Sequence, residues 1–167
     1  MTHFILLLAS QNHNQALATT VLDQLTQEGA SGEIVDLVSL NLPLYSTKQQ
    51  DEHGVPDHMA SLFETCKNSN GFIIVAPEYN GGIPPVLTNA IAWLSVAGKE
   101  WREAFNGKVA GIASFSGGGG SHLVTGLRIQ LAYIGLTVIG RSLQTSFKQA
   151  LNQDSLVDFV KQLIDRA

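Results

Sequence analysis

Short apolar runs alternate along this chain with longer segments whose apolar residues recur every three or four positions. Runs of this length that are rich in β-branched residues predict buried strands, and the periodic segments predict amphipathic helices. The predicted strands are His3 to Ala9, Glu33 to Leu37, Gly71 to Ala76, Val109 to Phe115 and Leu136 to Ile139. Strands that alternate with helices form parallel sheets through right-handed crossovers. We therefore expect an α/β protein with a five-stranded parallel sheet and helices on both faces.

Helical periodicity fills most of the gaps between the predicted strands. The predicted helices are Gln15 to Glu28, Pro56 to Asn68, Val86 to Ser95, Leu123 to Ile134, and a last helix that begins near Asp154 or Ser155 as its cap. Gly135 is predicted to close the fourth of them, because glycine readily adopts the left-handed conformation that follows a helix. The segment from Leu40 to Gly54 shows no such pattern and is predicted to be a long irregular connection.

The composition limits the functions that are open to the chain. Its 167 residues suit one domain over residues 1–167, and 44% hydrophobic with 14% charged residues indicates a globular protein. The net charge is −4 and Lys and Arg do not cluster, so we expect neither a nucleic-acid nor a membrane partner. The apolar runs are too short to span a bilayer, and Phe4 to Ala9 lacks the basic leader of a signal peptide. The single cysteine, Cys66, excludes an internal disulfide, is expected to be a packing residue and fits a cytoplasmic location.

A polar turn, Pro77 to Gly82, lies between the third predicted strand and the helix that follows it. In open α/β sheets, ligands bind at the carboxyl ends of the strands, where this turn is placed. The alternative is an ordinary loop in which Pro84 and Pro85 simply start the next helix. Position alone favours a ligand site only weakly.

Two further predicted strands are followed by loops with polar or glycine-rich sequences. Ser10 to Asn14 precedes the first helix, whose free N–H groups suit a phosphate, although Asn12 or Asn14 could instead simply cap that helix. Ser114 to Ser121 contains four successive glycines, which are costly in conformational entropy. A loop that wraps a flat ligand explains this excess; so does a mobile flap, and so does drift in a tolerant surface loop.

The residues of the polar turn are more specific than its position. Pro77-Glu78-Tyr79-Asn80-Gly81, then Ile83-Pro84, then Leu-x-Asn-Ala-Ile-x-Trp-Leu ending at Leu94, closely resemble the flavin-contacting segment of the NAD(P)H-dependent FMN reductase family. That family has a flavodoxin-like fold and includes quinone, azo-dye and chromate reductases. The alternation of elements alone allows a Rossmann-like or a flavodoxin-like strand order. The resemblance implies the second: a three-layer α/β/α sandwich with strand order 2-1-3-4-5.

The resemblance also implies FMN as the cofactor and indicates which loops contact it. The implied cofactor-binding residues are Ser10, Asn12, Asn14, Pro77, Glu78, Tyr79, Asn80, Gly81, Ser114, Ser116, Gly117 and Gly118. The first loop departs from the family pattern Gly-Ser-x-Arg-x-x-Ser-x-Asn: Ala9 replaces the glycine, the arginine is missing and the loop is shorter. Loss of a charge-assisted contact lowers phosphate affinity by about ten- to a hundredfold, so the departure predicts weaker flavin binding or a changed ligand.

The activity implied by the resemblance is ping-pong reduction, in which NAD(P)H gives a hydride to FMN and leaves before a small acceptor takes its place. The acceptor would be a quinone, free flavin, an azo dye or a metal oxyanion. This activity requires no catalytic side chain. His53, His58 and His122 are scattered along the sequence, so no metal site is expected. The resemblance also implies a homodimer or homotetramer. One alternative is a non-catalytic flavodoxin-fold module with weakened flavin binding. Another is a flavodoxin-type electron carrier, although the Ser/Thr-x-Thr-Gly-x-Thr phosphate loop of flavodoxins is missing.

Overall fold

The structure, a computed structural model, describes residues 1–167 and contains five strands and six α-helices. The strands are β1 (His3–Leu8), β2 (Ser31–Asp36), β3 (Gly71–Val75), β4 (Val109–Phe115) and β5 (Thr137–Thr145). The helices are α1 (His13–Gln27), α2 (Thr47–His53), α3 (Asp57–Asn68), α4 (Pro85–Ala97), α5 (Ser121–Tyr133) and α6 (Gln153–Ile164), with a 3₁₀ turn at Trp101–Ala104. None of the helices is both long and apolar enough to cross a membrane.

The five strands are all parallel and form one sheet in the order β2-β1-β3-β4-β5. This confirms the predicted flavodoxin-like order. Side chains alternate between the two faces, so that Ile5 and Leu7 of β1 join one apolar cluster while Phe4, Leu6 and Leu8 join the other. Helices α3, α4 and α5 cover the first face, and α1 and α6 cover the second. The central strands are therefore buried on both sides, which explains why they are continuous apolar runs.

Apart from shifts of one or two residues at the ends of other elements, three elements differ from the predictions. Strand β5 continues past Ile139 to Thr145; the polar run after Ile139 hid it, because an edge strand can leave polar side chains half-exposed. The connection predicted to be irregular contains α2, which is capped by Ser46 and buries no side chain, so it has no apolar stripe to detect. The cap of α6 is Asn152, whose side chain accepts a hydrogen bond of 2.8 Å from the Ser155 N–H, and not Asp154 or Ser155.

Helix α4 begins at the proline pair and holds the long connection after β2 against the sheet. Its Trp93 is fully buried, and the indole Nε1–H donates to the carbonyl of Pro43 at 2.8 Å. Asn89, one turn earlier, accepts a hydrogen bond from the Tyr45 N–H at 2.8 Å. On the neighbouring α3, burial raises the pKa of the Cys66 thiol to about 12, which agrees with its predicted packing role.

Candidate functional site

The carboxyl ends of β1, β3 and β4 lie side by side, since Leu8 pairs with Val75 and Val75 pairs with Ala113. Each of the three strands is followed by one of the loops that the sequence singled out. We refer to them as loop 1 (residues 9–12), loop 2 (residues 76–84) and loop 3 (residues 116–120). The sheet order therefore brings together three segments that are far apart in the sequence.

Loop 1 presents a run of unpaired backbone donors. The N–H groups from Ser10 to Gln15 donate to no acceptor in the protein, and the last three of them form the first turn of the 15-residue helix α1. Asn12 stands at the N-cap position with φ 58°, but its side chain makes no capping hydrogen bond. The structure therefore contradicts the alternative in which the side chain of Asn12 simply caps α1. Free N–H groups at the positive end of a helix dipole form a site for an anion.

Asn14 joins loop 1 to the end of β4. Its side chain is buried: Oδ1 accepts from the N–H of Phe115 at 2.9 Å, and Nδ2 donates to the carbonyl of Phe115 at 3.0 Å. Nδ2 also lies 3.2 Å from Oγ of Ser10. The amide of Asn14 is therefore used within the protein, and it fixes the first turn of α1 against the sheet.

Loop 2 contains a tight two-residue turn at its tip. The N–H of Tyr79 donates to the carbonyl of Gly82 at 3.1 Å, and the N–H of Gly82 donates back at 2.9 Å. Asn80 and Gly81 have φ of 51° and 72°, the positive values of a type I′ turn. Both residues are exposed, and their N–H groups donate to no protein atom. The turn thus offers two fixed donors at the edge of the site.

Replacing Gly81 by alanine is expected to destabilise the protein by about 1 kcal/mol, because only glycine adopts its left-handed conformation without cost. A Cβ at this position would meet no atom within 4 Å, so the cost is conformational and not steric. Gly117→Ala is the matched control: it also has open space and lacks a positive φ, so we expect a change below about 0.5 kcal/mol. Urea unfolding of both variants checks this; equal losses would contradict it.

Glu78 connects loop 2 to loop 3 and α5. Its carboxylate accepts from the backbone N–H groups of His122 at 2.9 Å and Leu123 at 3.2 Å, and it lies 3.4 Å from Nδ1 of His122. These contacts, the Leu123 N–H foremost, hold the pKa of Glu78 below its ordinary value. The N–H of Glu78 in turn donates to Oγ of Ser116 at 2.7 Å. The carboxylate therefore caps α5.

Loop 3 has a buried base and an open tip. The hydroxyl groups of Ser114 and Ser116 are buried and lie 2.8 Å apart, so they support the loop from within. Gly120 has φ 81°, and a Cβ there would lie 2.9 Å from Oγ of Ser114. Gly117 and Gly118, by contrast, are exposed and have no atom within 4 Å of an added Cβ. Internal packing thus explains why residue 120 is a glycine. The backbone of Gly117 and Gly118, in contrast, is open to close contact with a ligand.

The family model that describes NADPH-dependent FMN reductases matches residues 4–150, which include all three loops. The chain belongs to the NADPH-dependent FMN reductase family. This confirms the family that the residues of the polar turn resemble.

Several known proteins are similar to this member of the family. A quinone reductase of Escherichia coli K12 is 43% identical over 67 residues, which are 40% of this chain and 36% of that protein. The match therefore spans little more than a third of its length. An NAD(P)H-dependent FMN reductase of Schizosaccharomyces pombe is 26% identical over 147 residues, 83% of this chain and 70% of that protein. The structure of the NAD(P)H:(acceptor) oxidoreductase FerB from Paracoccus denitrificans has a TM-score of 0.80 at 20% identity, with 99% of this chain and 97% of that chain covered. At that identity it shows a shared fold.

In this member of the FMN reductase family, the structure also places three aromatic side chains together at the edge of the site. The sequence pattern did not connect them. His13 stacks on Phe115, and both rings meet Phe147 of the β5–α6 connection edge-on. His13 is exposed, begins α1 and packs in this group. Phe147 was missed because β5 was predicted to end at Ile139. A lone aromatic residue within the polar run from Gln144 to Gln149 was the available signal.

Proposed function

We propose that this chain is an NAD(P)H-dependent FMN reductase that reduces a quinone or a similar small acceptor. The observation that carries the proposal is the set of unpaired N–H groups from Ser10 to Gln15, placed beside the type I′ turn of loop 2 at a three-strand edge. Family membership and the names of the relatives support the same activity.

The residues at this edge fit FMN. The free N–H groups of loop 1 and α1 would hold the phosphate, with the hydroxyl of Ser10 and the amide of Asn12 beside them. The N–H groups of Asn80 and Gly81 would meet polar atoms of the flavin ring, and Tyr79, which is about half-exposed, offers it an apolar surface. Gly117 and Gly118 would allow close approach from loop 3. Pro77, Glu78, Asn14, Ser114 and Ser116 are buried or internally bonded, and we assign them to holding these loops in place.

The chemistry of the reaction would belong to the bound flavin, which takes a hydride from NAD(P)H and passes it to the acceptor. The protein residues orient the cofactor and leave one face of the site open to both substrates in turn. No side chain at the edge is arranged as a nucleophile with a base beside it, and none is required. Sequential use of one open face predicts ping-pong kinetics, which initial-rate measurements with NADPH and benzoquinone would show as parallel double-reciprocal lines.

We also propose that the protein acts as a homodimer or homotetramer. None of the main cavities of one copy is lined by the tips of loops 1, 2 and 3, so the edge is open in a single chain. A second copy would cover the flavin and exclude water from it. Light scattering of the eluted protein, with and without FMN, measures the assembly; a monomer under both conditions would exclude this part of the proposal.

The test of the proposed function is the visible absorbance spectrum of protein that has been supplied with FMN and then desalted. We expect a retained flavin spectrum, and bleaching of that spectrum on addition of NADPH followed by recovery with benzoquinone. The non-catalytic module is favoured by one observation, the lack of Lys or Arg in residues 9–15. A colourless protein after loading at high FMN would support that module and exclude the reductase. Bound flavin that NADPH does not bleach would instead indicate an electron carrier.

A further inference from the structure

The three loops of the candidate site contain no cation of their own. Residues 9–15, residues 76–84 and residues 116–120 include neither Lys nor Arg. The phosphate ester of FMN carries a charge of about −1.5 to −2 at neutral pH. Backbone N–H groups oppose this charge with partial charges alone. A lysine or arginine from another part of the chain would add a full opposing charge.

A carboxylate bonded to loop 1 makes the lack of a cation more costly. Nε2 of Gln11 donates to the carboxylate of Asp36 at 3.0 Å. Burial opposes ionisation of Asp36, but hydrogen bonds from Ser39, Gln11 and backbone N–H groups outweigh it, so its pKa is lowered. Asp36 is therefore charged at neutral pH and repels a phosphate at loop 1, and a cation would offset that repulsion.

All but two of the ten Lys and Arg side chains are engaged within the protein. Those that lie 2.7–3.9 Å from a carboxylate are Lys48, Lys67, Arg141 and Lys161. Those that donate to backbone carbonyls are Arg102, Lys108, Arg128 and Arg166. The remaining two, Lys99 and Lys148, are exposed, and their side chains form no ion pair or hydrogen bond in the structure.

The two free lysines lie at opposite edges of the sheet. Lys99 follows the end of α4, which runs from the carboxyl end of β3 to the amino end of β4. Lys148 lies in the turn after β5, at the carboxyl edge where the three loops meet. Lys148 is therefore the only cation without a partner at the edge that holds the site.

The turn that carries Lys148 is ordered and lies beside the start of α1. Ser146 and Gln149 exchange backbone hydrogen bonds of 2.9 and 3.2 Å, and Oγ of Ser146 accepts from the N–H of Lys148 at 3.2 Å. The ring centroid of Phe147 lies 5.4 Å from that of His13, whose N–H is one of the unpaired donors. A lysine has a flexible four-carbon stem, so the ammonium group of Lys148 can extend past this ring to those donors.

We infer that Lys148 supplies the cation for the FMN phosphate, with its ammonium group beside the unpaired N–H groups at the start of α1. The inference rests on the proposed function, because it assigns a further residue to the same cofactor site. Lysine binds phosphate as a point charge and needs no fixed planar geometry, which suits an exposed residue on a neighbouring turn. The charge that residues 9–15 lack would thus come from the β5–α6 connection.

The test is fluorescence titration of flavin-free protein with FMN and with riboflavin, which lacks the phosphate. Lys148→Gln removes the charge and should weaken FMN binding about tenfold, as expected for a hydrogen bond to a charged group. Riboflavin affinity should stay within about twofold. Lys148→Arg keeps the charge and should retain FMN affinity. Lys99→Gln removes the other free lysine, is the matched control and should change neither affinity.

The salt dependence of FMN binding gives a second readout. Lys148 is exposed, so its attraction for the phosphate is open to screening by ions. The difference in FMN affinity between the wild-type protein and Lys148→Gln should therefore shrink to about twofold in 1 M NaCl, where the Debye length is about 3 Å. Thermal melts of the flavin-free variants check that each one is folded.

Four results would overturn the inference. FMN binding that Lys148→Gln leaves unchanged would show that Lys148 does not contact the phosphate. Equal weakening of FMN and riboflavin would place its effect on the flavin ring or on the loop. An equal loss in Lys99→Gln would indicate the net charge of the protein. A loss in His13→Gln without a loss in Lys148→Gln would assign the cation to His13.

The inference and the proposed function fail in different ways. If the wild-type protein binds neither FMN nor riboflavin, the proposed function fails and the inference fails with it. Tight FMN binding that is independent of Lys148 removes the inference alone and leaves the reductase in place.

Discussion

Replacing Asn14 by alanine is expected to lower the free energy of unfolding by about 3 kcal/mol, because it leaves the partly buried N–H and carbonyl of Phe115 without partners. Both hydrogen bonds have the ordinary lengths of 2.9 and 3.0 Å, and Asn14 is only 3% exposed. For a chain of this length the loss corresponds to a fall in melting temperature of about 6–12 °C. Urea unfolding and thermal melts measure it.

The same variant should also weaken flavin binding, since Asn14 fixes the turn that carries the free N–H groups. Gln15→Ala is the matched control, because Gln15 is exposed on the same turn and its side chain makes no hydrogen bond. We expect that control to change stability by less than about 0.5 kcal/mol. Asn14→Asp keeps one acceptor for the Phe115 N–H but places a carboxylate beside the phosphate site. We therefore expect this variant to lose more free energy of flavin binding than free energy of unfolding. An Asn14→Ala variant as stable as Gln15→Ala would show that the two bonds do not brace the site.

The role of Asn14 illustrates what the sequence could not predict. The sequence placed Asn14 at the phosphate loop, but its partner, Phe115, lies 101 residues further along the chain. Likewise, the family resemblance implied a flavin contact for Glu78, but its carboxylate accepts hydrogen bonds from residues 44 and 45 positions away. Such bonds depend on how strands are ordered in the sheet, and local periodicity carries no information on that order.

The strands that cross the middle of the sheet were predictable for a physical reason. Gly71 to Val75 and Val109 to Ala113 are buried on both faces, so each is apolar along its length. The bounds of β4 were predicted to the residue, and β1 and β3 to within one. Strand β5 lies at the edge of the sheet, where Arg141 and Ser142 can remain half-exposed. The apolar run that predicted this strand therefore ends well before the strand itself.

The order of the strands came from resemblance and not from periodicity, since alternation fits more than one crossover pattern. Once that order is fixed, the three loops necessarily meet at one edge. What the structure adds is that they brace one another: Asn14 ties loop 1 to β4, and Glu78 ties loop 2 to α5 and, through its N–H, to Ser116. The exposed N–H groups are therefore held before any ligand arrives, which lowers the ordering cost of binding.

Glu78→Ala is expected to lower the free energy of unfolding by about 2 kcal/mol at pH 7, because it removes a charged acceptor from two N–H groups at the start of α5. Glu78→Gln keeps a neutral acceptor and should lose about half as much. Glu64→Gln, an exposed glutamate of α3 that makes no hydrogen bond, is the control and should be nearly neutral. Urea unfolding at pH 7 measures all three.

The pH dependence of stability distinguishes the contribution of the Glu78 charge from that of its hydrogen-bond geometry. The pKa of Glu78 in the folded protein is lowered from an ordinary value of 4.5, so its charge stabilises the folded state above pH 4.5. That contribution is lost as the pH falls below 4.5 and then through the lower pKa of Glu78 in the folded protein. The difference in stability between the wild-type protein and Glu78→Gln should therefore shrink as the pH falls below 4.5. A difference that stays constant down to pH 3.5 would show that Glu78 supports α5 by its hydrogen-bond geometry alone.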